Sequence, residues 1–146
     1  MSVQIRPIDP GDRANWSDLW RAYLAFYGTD LPDALYHQQF ARLTSRVPSI
    51  HGLVADRDGT LVGLVHYLYH PHGWKSCDVC YLQDLYVTPE ARGTGLGRAL
   101  IEAVYAAADT HGTPDVYWTT QDFNAEARHL YDRVGVVTPF IKYQRA

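Results

Sequence analysis

Apolar residues in this chain recur at the 3.6-residue spacing of amphipathic helices in four segments. Asn15 is expected to cap the first of these helices, and Gly28 is expected to end it. The third helix closes near Gly112, and the fourth runs from Asn124, a second expected N-cap, to Gly135. The four predicted helices cover residues 16–27, about 32–46, 96–111 and 125–134.

Six further segments are apolar runs of strand length. The turn 56–59 lies between two of them and predicts a β-hairpin. Helices interleaved with strands at this scale indicate a single α/β domain over residues 1–146, with a mixed central sheet flanked by helices. The predicted strands cover residues 3–7, 51–55, 61–69, 81–87, 116–120 and 140–144.

Composition narrows the function classes. Of the 146 residues, 47% are hydrophobic, which is enough for a core, and the formal net charge is −3 with neutral histidines. A general nucleic-acid binder would carry a basic surface, so that class is disfavoured. Met1 is not followed by an apolar leader, and no apolar run is long enough to span a bilayer. We therefore expect a soluble, cytoplasmic protein that binds neither nucleic acid nor membrane.

The segment 92–98, RGTGLGR, stands between a strand-like run and a strongly helical one. Unpaired N–H groups at a helix start attract phosphate oxygens, and glycines let the backbone approach them closely. A P-loop would need a lysine followed by serine or threonine here, and a dinucleotide fingerprint would need a third glycine at Arg98. The pattern that fits is R-x-x-G-x-G, formed by Arg92, Gly95 and Gly97.

This motif and its surroundings resemble the GNAT superfamily of acyl-CoA-dependent N-acyltransferases. The family shows similar blocks in the same order, here at 20–27, 81–90, 116–120 and 124–135. Within the superfamily, the chain looks most like the histone and polyamine (spermidine/spermine-type) acetyltransferase branch. The resemblance implies the GNAT fold, an N-acetyltransferase activity with acetyl-CoA as co-substrate, and no metal.

The resemblance also implies where acetyl-CoA binds. The loop amides hold the diphosphate, the pantetheine arm adds to the strand before the loop, and Asn124 bonds that arm. Arg92 either shapes the loop or pairs with a phosphate. The strand at 81–87 must then diverge from the strand at 116–120. The implied acetyl-CoA contacts are Leu85, Tyr86, Val87, Arg92, Gly93, Thr94, Gly95, Leu96, Gly97, Arg98, Asn124 and Tyr131.

Acetyl transfer to an amine needs a positioned thioester, a neutral nitrogen and a stabilised departing thiolate. A tyrosine hydroxyl is a proton donor with a reference pKa of about 10. In related enzymes the tyrosine at the position of Tyr131 lies near the CoA sulfur, so Tyr131 is the predicted general acid. The alternative is a core tyrosine, because Tyr131 lies on the apolar stripe of its helix.

The proton acceptor for the amine is less clearly marked. Many polyamine acetyltransferases carry a glutamate at the position of Gln83, and glutamine cannot act as a base. Asp84 is the best remaining candidate, with a structural carboxylate as the alternative. Strand alternation places Gln83 and Asp84 on opposite faces unless a β-bulge redirects them. Gln83 is also the one feature that favours a different function, a catalytically idle acyl-CoA-binding or regulatory domain, and a nucleotide-binding module is the third option.

Aromatic and acidic side chains near the first two helices and the hairpin suit an ammonium-bearing acceptor. The expected acceptor is a polyamine-like or amino-acid-like small amine, or else a protein lysine. Tyr23 is a further candidate for the pocket lining, whereas Trp20 is better explained as a core residue. The residues assigned to acceptor binding are Tyr27, Asp30, Gln83 and Trp74.

Two remaining features concern metals and assembly. Cys77 and Cys80 form a C-x-x-C pair, but without a second cysteine pair a zinc site is disfavoured, and no metal is expected. The apolar tail 136–143 could form an edge strand, and such an edge needs covering. Relatives in the superfamily often pair this segment between protomers, so the resemblance implies a homodimer through the C-terminal strand.

Overall fold

The computed structural model describes residues 2–146 of the chain. Those residues form β1 (Val3–Pro7), α1 (Arg13–Phe26), α2 (Asp33–Thr44), β2 (His51–Arg57), β3 (Thr60–Pro71), β4 (Asp78–Val87), α3 (Leu96–His111), β5 (Val116–Tyr117) and α4 (Ala125–Val134). The strands make one sheet in the order β1-β2-β3-β4-β5. Neighbours from β1 to β4 are antiparallel, and β5 joins β4 in parallel. This mixed sheet with helices around it confirms the predicted α/β domain.

The start of α1 differs from the prediction. Asn15 lies inside the helix and does not cap it, because α1 already begins at Arg13. One turn of 3₁₀ helix, Pro10–Asp12, leads directly into α1. The N–H of Asp9 donates to Asp12 Oδ2 at 2.9 Å, so the capping interaction lies upstream of the predicted position.

The other helix ends are close to the predicted ones. Gly28, at φ 68°, follows α1, and its N–H donates to the carbonyl of Ala25 at 2.9 Å. Gly112, at φ 95°, ends α3 in the same left-handed conformation, which glycine adopts without a Cβ clash. No α-helix within residues 2–146 combines the length and the apolar composition that crossing a bilayer requires.

The helices cover both sides of the sheet and divide the core in two. We call the side under α3 and α4 the α3 face, and the side under α1 and α2 the α1 face. Trp20 belongs to the α1 face, where it is 6% exposed and stacks on Trp16 with ring centroids 5.2 Å apart, which confirms its core role. The α3 face buries Val65, Cys80, Leu82, Leu100, Ile101 and Val104, and the α1 face buries Trp16, Leu19, Trp20, Tyr36, Phe40 and Leu64.

A β-bulge interrupts β4 at Gln83. His66 of β3 pairs with Asp84 and Tyr67 pairs with Leu82, which leaves Gln83 as the extra residue of the ladder. The extra residue shifts the alternation, so that Leu82 is buried in the α3 face and Asp84 is buried beside His66 on the other face. The bulge thus redirects Asp84 inward and leaves Gln83 exposed.

The last two predicted strands depart from expectation. β5 contains only two residues, and 118–120 continue without regular structure, so the strand predicted at 116–120 is too long. The strand predicted at 140–144 is wrong. A strand exists only through a hydrogen-bonded neighbour, and within the described residues this segment has none. Its large apolar side chains stand exposed at Val136, Val137, Phe140, Ile141 and Tyr143.

Candidate active site

A cavity of about 340 Å³ lies beside the end of β4. Residues from both the α1 face and the α3 face line it. The C-terminal half of α1 forms one wall, and α4 forms the opposite wall. The glycine-rich segment and the first turn of α3 close the third side. The cavity therefore brings together the glycine-rich motif and three of the four blocks from which the resemblance was drawn, 20–27, 81–90 and 124–135.

The glycine-rich segment presents backbone to the cavity. Gly93 and Gly95 adopt positive φ angles of 76° and 81°, and Gly95 is the N-cap of α3. No side chain within residues 2–146 makes a capping hydrogen bond at this helix start. The first N–H groups of α3 are therefore left to a ligand, and a helix N-terminus of this kind favours an anion.

The arginine that opens the motif shapes the loop. Arg92 Nε donates to the carbonyl of Val87 at 3.0 Å, and its guanidinium lies 5.7 Å from the ring centre of Tyr86. This contact agrees with the first of the two roles expected for Arg92. Together with Arg98 and Arg133, which also line the cavity, it gives this end a positive character that one acid, Glu126, only partly offsets.

Two residues of the motif are occupied locally. Thr94 Oγ1 donates to the carbonyl of Ala91 at 2.6 Å, which holds the loop rather than turning toward the cavity. Arg98 Nε donates to Glu102 Oε1 at 2.7 Å along the exposed side of α3. Gly97 serves packing as well, because a Cβ there would lie 3.1 Å from Leu130 Cδ2 on α4.

The strand before the loop has an open edge. Leu85, Tyr86 and Val87 line the cavity. In the described chain, β5 pairs with β4 only at Cys80 and Tyr81, so the two strands separate before they reach those residues. The divergence that the expected pantetheine site requires is therefore present.

Two predicted residues of α4 face the cavity. Asn124 caps the helix by accepting the N–H of Ala127 at 3.4 Å, which confirms the predicted cap. Tyr131 is half-buried and meets Trp118 edge-on at 5.5 Å between ring centroids. Burial, and to a smaller extent the proximity of Tyr27, raises the pKa of Tyr131 to about 12. The Tyr131 hydroxyl is therefore protonated at neutral pH.

Asp84 lies behind the cavity wall rather than in it. Its Oδ2 is 2.8 Å from His66 Nδ1, and its side chain is almost fully buried. Burial by itself raises the pKa of Asp84, but the contact with His66 outweighs it and leaves the pKa lowered. The carboxylate is therefore ionised, and it does not line the cavity, whereas Tyr23 does.

The acceptor side of the cavity is aromatic. Tyr23, Phe26 and Tyr27 line it from α1, so Tyr27 lies where acceptor binding was expected. Phe26 was missed, because it lies off the helical stripe used to define the core. The other residues assigned to the acceptor are exposed elsewhere on the surface and do not line the cavity: Asp30, Gln83 and Trp74.

The cysteine pair is not arranged around the nearby histidines. Cys80 is buried in the α3 face, where burial raises the pKa of its thiol to about 11, and Cys77 is partly exposed. His66 is engaged with Asp84 instead. Among the described residues, no three His, Cys, Asp or Glu side chains are grouped so as to hold a metal ion.

Comparison with known proteins agrees with this geometry. The sequence model of the Acetyltransferase (GNAT) family matches residues 14–136. The chain is 39% identical to the D-amino-acid N-acetyltransferase HPA3 of Saccharomyces cerevisiae over 145 residues, covering 98% of this chain and 90% of that protein. It is 32% identical to the thialysine N-epsilon-acetyltransferase of Bos taurus over 143 residues, covering 91% and 83% of the two chains.

Solved structures share the fold at lower sequence identity. An aminoglycoside acetyltransferase, AAC(6')-Iy, in complex with a CoA-containing bisubstrate analogue superposes with a TM-score of 0.85 at 18% identity, covering 100% of this chain and 99% of that one. A ribosomal-protein-alanine N-acetyltransferase from Brucella melitensis superposes with a TM-score of 0.80 at 22% identity over 99% of both chains.

The match over most of the sequence places the chain in the GNAT acetyltransferase family. It is an N-acetyltransferase with the single-domain α/β fold of that family. Two solved structures that share the fold contain CoA or a CoA-containing analogue, and amines are the class of acceptor that the names of the relatives indicate for those proteins.

Proposed function

We propose that the protein transfers the acetyl group of acetyl-CoA to a primary amine of a small molecule by direct attack of the nitrogen on the thioester. The observation that carries the proposal is one cavity shared by the open N-terminus of α3, the open edge of β4 and Tyr131. A phosphate site beside an edge for β-addition suits a ligand with a diphosphate followed by amide groups. CoA has this order and carries its thioester beyond the amides.

The residues present fit acetyl-CoA in three places. The amides of 93–97 suit the diphosphate, and the guanidinium groups of Arg92 and Arg98 add positive charge beside it. The free backbone groups of 85–87 suit the amides of the pantetheine arm. Asn124 accepts a bond with its Oδ1, which leaves its amide N–H groups to donate to the same arm.

Tyr131 is the proposed general acid. Its raised pKa of about 12 keeps the proton in place until sulfur develops negative charge. A thiol has a reference pKa of about 8.5, so the thiolate is a weaker base than a tyrosinate. Hydrogen-bond donation to the departing sulfur therefore precedes proton transfer and supplies the stabilisation of the leaving group.

The acceptor is proposed to be a polyamine-like or amino-acid-like amine first and a protein lysine second. The tyrosine rings at Tyr23 and Tyr27 attract cations, and the ionised Asp84 behind them adds negative potential. Both features favour a substrate that arrives as an ammonium and is deprotonated at the site. A D-amino-acid acetyltransferase and a thialysine acetyltransferase among the relatives support the amino-acid-like class.

An acceptor screen tests the proposal. Purified protein and acetyl-CoA are mixed with D- and L-amino acids, thialysine, spermidine, an aminoglycoside or a histone peptide, and released thiol is followed. We expect thiol release well above the hydrolysis background with at least one small amine, with a higher kcat/KM than for the peptide. An idle acyl-CoA-binding domain would instead bind acetyl-CoA and release no thiol with any acceptor.

A homodimer is the proposed assembly. The tail 136–143 exposes most of the surface of its five large apolar side chains, which is unfavourable in water unless another surface covers them. A second copy offers an unpaired strand edge of the same chemistry. Light scattering at micromolar concentration should give twice the mass of the chain, and deletion of 136–146 should reduce it to the monomer mass. A monomeric full-length protein would contradict the dimer.

A further inference from the structure

A chain of buried polar side chains lies behind the cavity on the α1 face. Trp16 Nε1 donates to His66 Nε2 at 3.0 Å, and His66 Nδ1 lies 2.8 Å from Asp84 Oδ2. Trp16 and His66 are 0% exposed, and Asp84 is 7% exposed. Polar groups buried this deeply are unfavourable unless they are paired, so each member of the chain depends on its neighbour.

The chemistry of the three groups fixes where the proton of the imidazole lies. An indole N–H can only donate, so His66 Nε2 must be the acceptor nitrogen. The proton of the neutral imidazole then lies on Nδ1 and is donated to Asp84. A protonated His66 would place two donors against each other at the indole. The network therefore holds a neutral histidine and an ionised aspartate.

Tyr23 connects this chain to the cavity. Burial, and to a smaller extent the nearby Asp84 carboxylate, raises the pKa of the Tyr23 hydroxyl, and Tyr23 lies in the cavity wall. An ionised carboxylate can only accept, so in a hydrogen bond between the two residues Tyr23 donates its O–H to Asp84. The remaining lone pairs of its oxygen are left for the cavity. On that side they can accept an N–H of the acceptor amine.

We propose that Tyr23 and Asp84 form a proton relay for the acceptor amine and that His66 and Trp16 are its positioning residues. The inference rests on the proposed acetyl transfer and adds the route by which the amine loses its proton. Tyr23 touches the substrate, whereas Asp84 acts through Tyr23. His66 and Trp16 keep the Asp84 carboxylate ionised and hold it in its orientation toward Tyr23.

The nitrogen forms a bond to the acetyl carbon, and the carbon–sulfur bond breaks. The N–H proton passes to the oxygen of Tyr23, and the proton of Tyr23 passes to Asp84. The sulfur takes the proton of Tyr131. After the products leave, Asp84 returns its proton through Tyr23 to solvent, Tyr131 regains one from solvent, and the site is restored.

A weakly basic carboxylate is sufficient for this step. A free alkyl ammonium has a reference pKa of about 10.4 and would not transfer its proton to a carboxylate. Once the nitrogen has bonded to the acetyl carbon, its remaining N–H protons are far more acidic. The ammonium first loses one proton to solvent, which gives the neutral nitrogen that attacks, and Asp84 takes up the second proton during bond formation.

The matched pair of variants Tyr23→Phe and Tyr36→Phe isolates the relay. Both tyrosines lie on the α1 face, and the hydroxyl of Tyr36 is buried without a hydrogen-bond partner among residues 2–146. Tyr23→Phe is expected to lower kcat about a hundredfold, in the range of a lost general base, with the Kd for acetyl-CoA unchanged. Tyr36→Phe is expected to keep wild-type kcat. Equal kcat in wild type and Tyr23→Phe would overturn the relay.

Two variants of His66 separate positioning from packing. A glutamine side chain offers one acceptor and one donor, so His66→Gln can accept from Trp16 and donate to Asp84. His66→Leu fills the space but can do neither. We expect kcat to be at least tenfold higher in His66→Gln than in His66→Leu, at equal occupancy with acetyl-CoA. Equal kcat in the two folded variants would overturn the positioning role.

Double substitution supplies a second check and separates the two proposals. If Tyr23 and Asp84 act as one unit, the Tyr23→Phe/Asp84→Asn enzyme should be no slower than the slower single variant. Multiplied losses would contradict the relay. A wild-type protein that releases no thiol with any amine would refute acetyl transfer itself. An active wild type with an unimpaired Tyr23→Phe variant would refute the relay alone.

Discussion

The two faces of the sheet contribute to the site in different ways. On the α3 face the contribution is main chain: glycines at positive φ, an open helix start and the open edge of β4. On the α1 face it is side chains: a buried histidine, a buried aspartate and the tyrosines of α1. Backbone donors are present whatever side chains a sequence carries, whereas side-chain contacts depend on the particular residues. The contrast separates the proposed acetyl-CoA site from the proposed acceptor side.

Substitution of Tyr131 is expected to lower kcat more than any other single change. Tyr131→Phe removes the proposed proton donor to sulfur, and kcat should fall by about 10²- to 10⁴-fold, the usual range for a general acid. The Kd for acetyl-CoA should stay the same, because Phe keeps the edge-on contact with Trp118. Tyr81→Phe, at a half-buried tyrosine outside the cavity, is the control and should retain activity. Undiminished kcat in Tyr131→Phe would remove Tyr131 from the mechanism.

A second prediction concerns the backbone of the α3 face. Gly95 and Gly59 both have positive φ, 81° and 90°, and in both a Cβ would meet no other atom within 4 Å of the described chain. Alanine at either position therefore costs about 1–2 kcal/mol of backbone strain. Only at Gly95 should this strain shift the amides of the phosphate site, raising the Kd for acetyl-CoA about tenfold. Calorimetric titration of both variants measures the difference, and equal affinities would contradict the assigned phosphate site.

A third prediction concerns the packing of the α1 face around Gly52. A Cβ at Gly52 would lie 2.4 Å from Ile8 Cδ1 and 3.0 Å from Leu43 Cδ2. Gly52→Ala should therefore lower the free energy of unfolding by about 1–3 kcal/mol through overpacking. The affinity for acetyl-CoA at the remaining folded protein should be unaltered. Gly73→Ala is the control for urea unfolding, because a Cβ there would meet no atom of residues 2–146 within 4 Å. Equal stability of the two variants would show that the α1 face accommodates the extra methyl group and would contradict the prediction.

The smallest expected effect is the response of stability to acid. The folded-state pKa of Asp84 is lowered, so its contribution to stability is present above the unfolded pKa of about 3.9 and is lost as the pH falls through the folded value. Asp84→Asn removes this contribution. Between about pH 5 and pH 3 the unfolding free energy of the variant should therefore fall less steeply than that of the wild type. Parallel curves from urea melts would mean that Asp84 gains no net stabilisation from its ionised form.

The same contrast explains how much was predictable. The phosphate loop, its strand and its helix are neighbours in sequence, so their roles follow from local pattern and from the family blocks. The acceptor side depends on distant contacts: Trp16 and His66 are 50 residues apart, and His66 and Asp84 are 18 apart. The second contact depends on the pairing of β3 with β4, which places the bulge at Gln83, and a single strand does not encode its own register.

Two departures of the structure from the sequence predictions have related causes. Asp30 and Trp74 have the residue types of an ammonium site, but loop geometry carries both away from the cavity, and composition contains no distance. The tail at 140–144 has strand-like residues, but a strand also needs a neighbour, which one chain does not supply. In both cases the local sequence pattern was present, but the contact with another part of the structure was not.

The backbone at the start of α3 is proposed to bind the diphosphate of CoA. A crystal structure of the CoA complex would show whether it does. We expect diphosphate oxygens about 2.7–3.2 Å from amide nitrogens within 93–97, with the pantetheine arm along the free edge of 85–87. A complex with CoA bound elsewhere and these amides facing solvent would contradict the account.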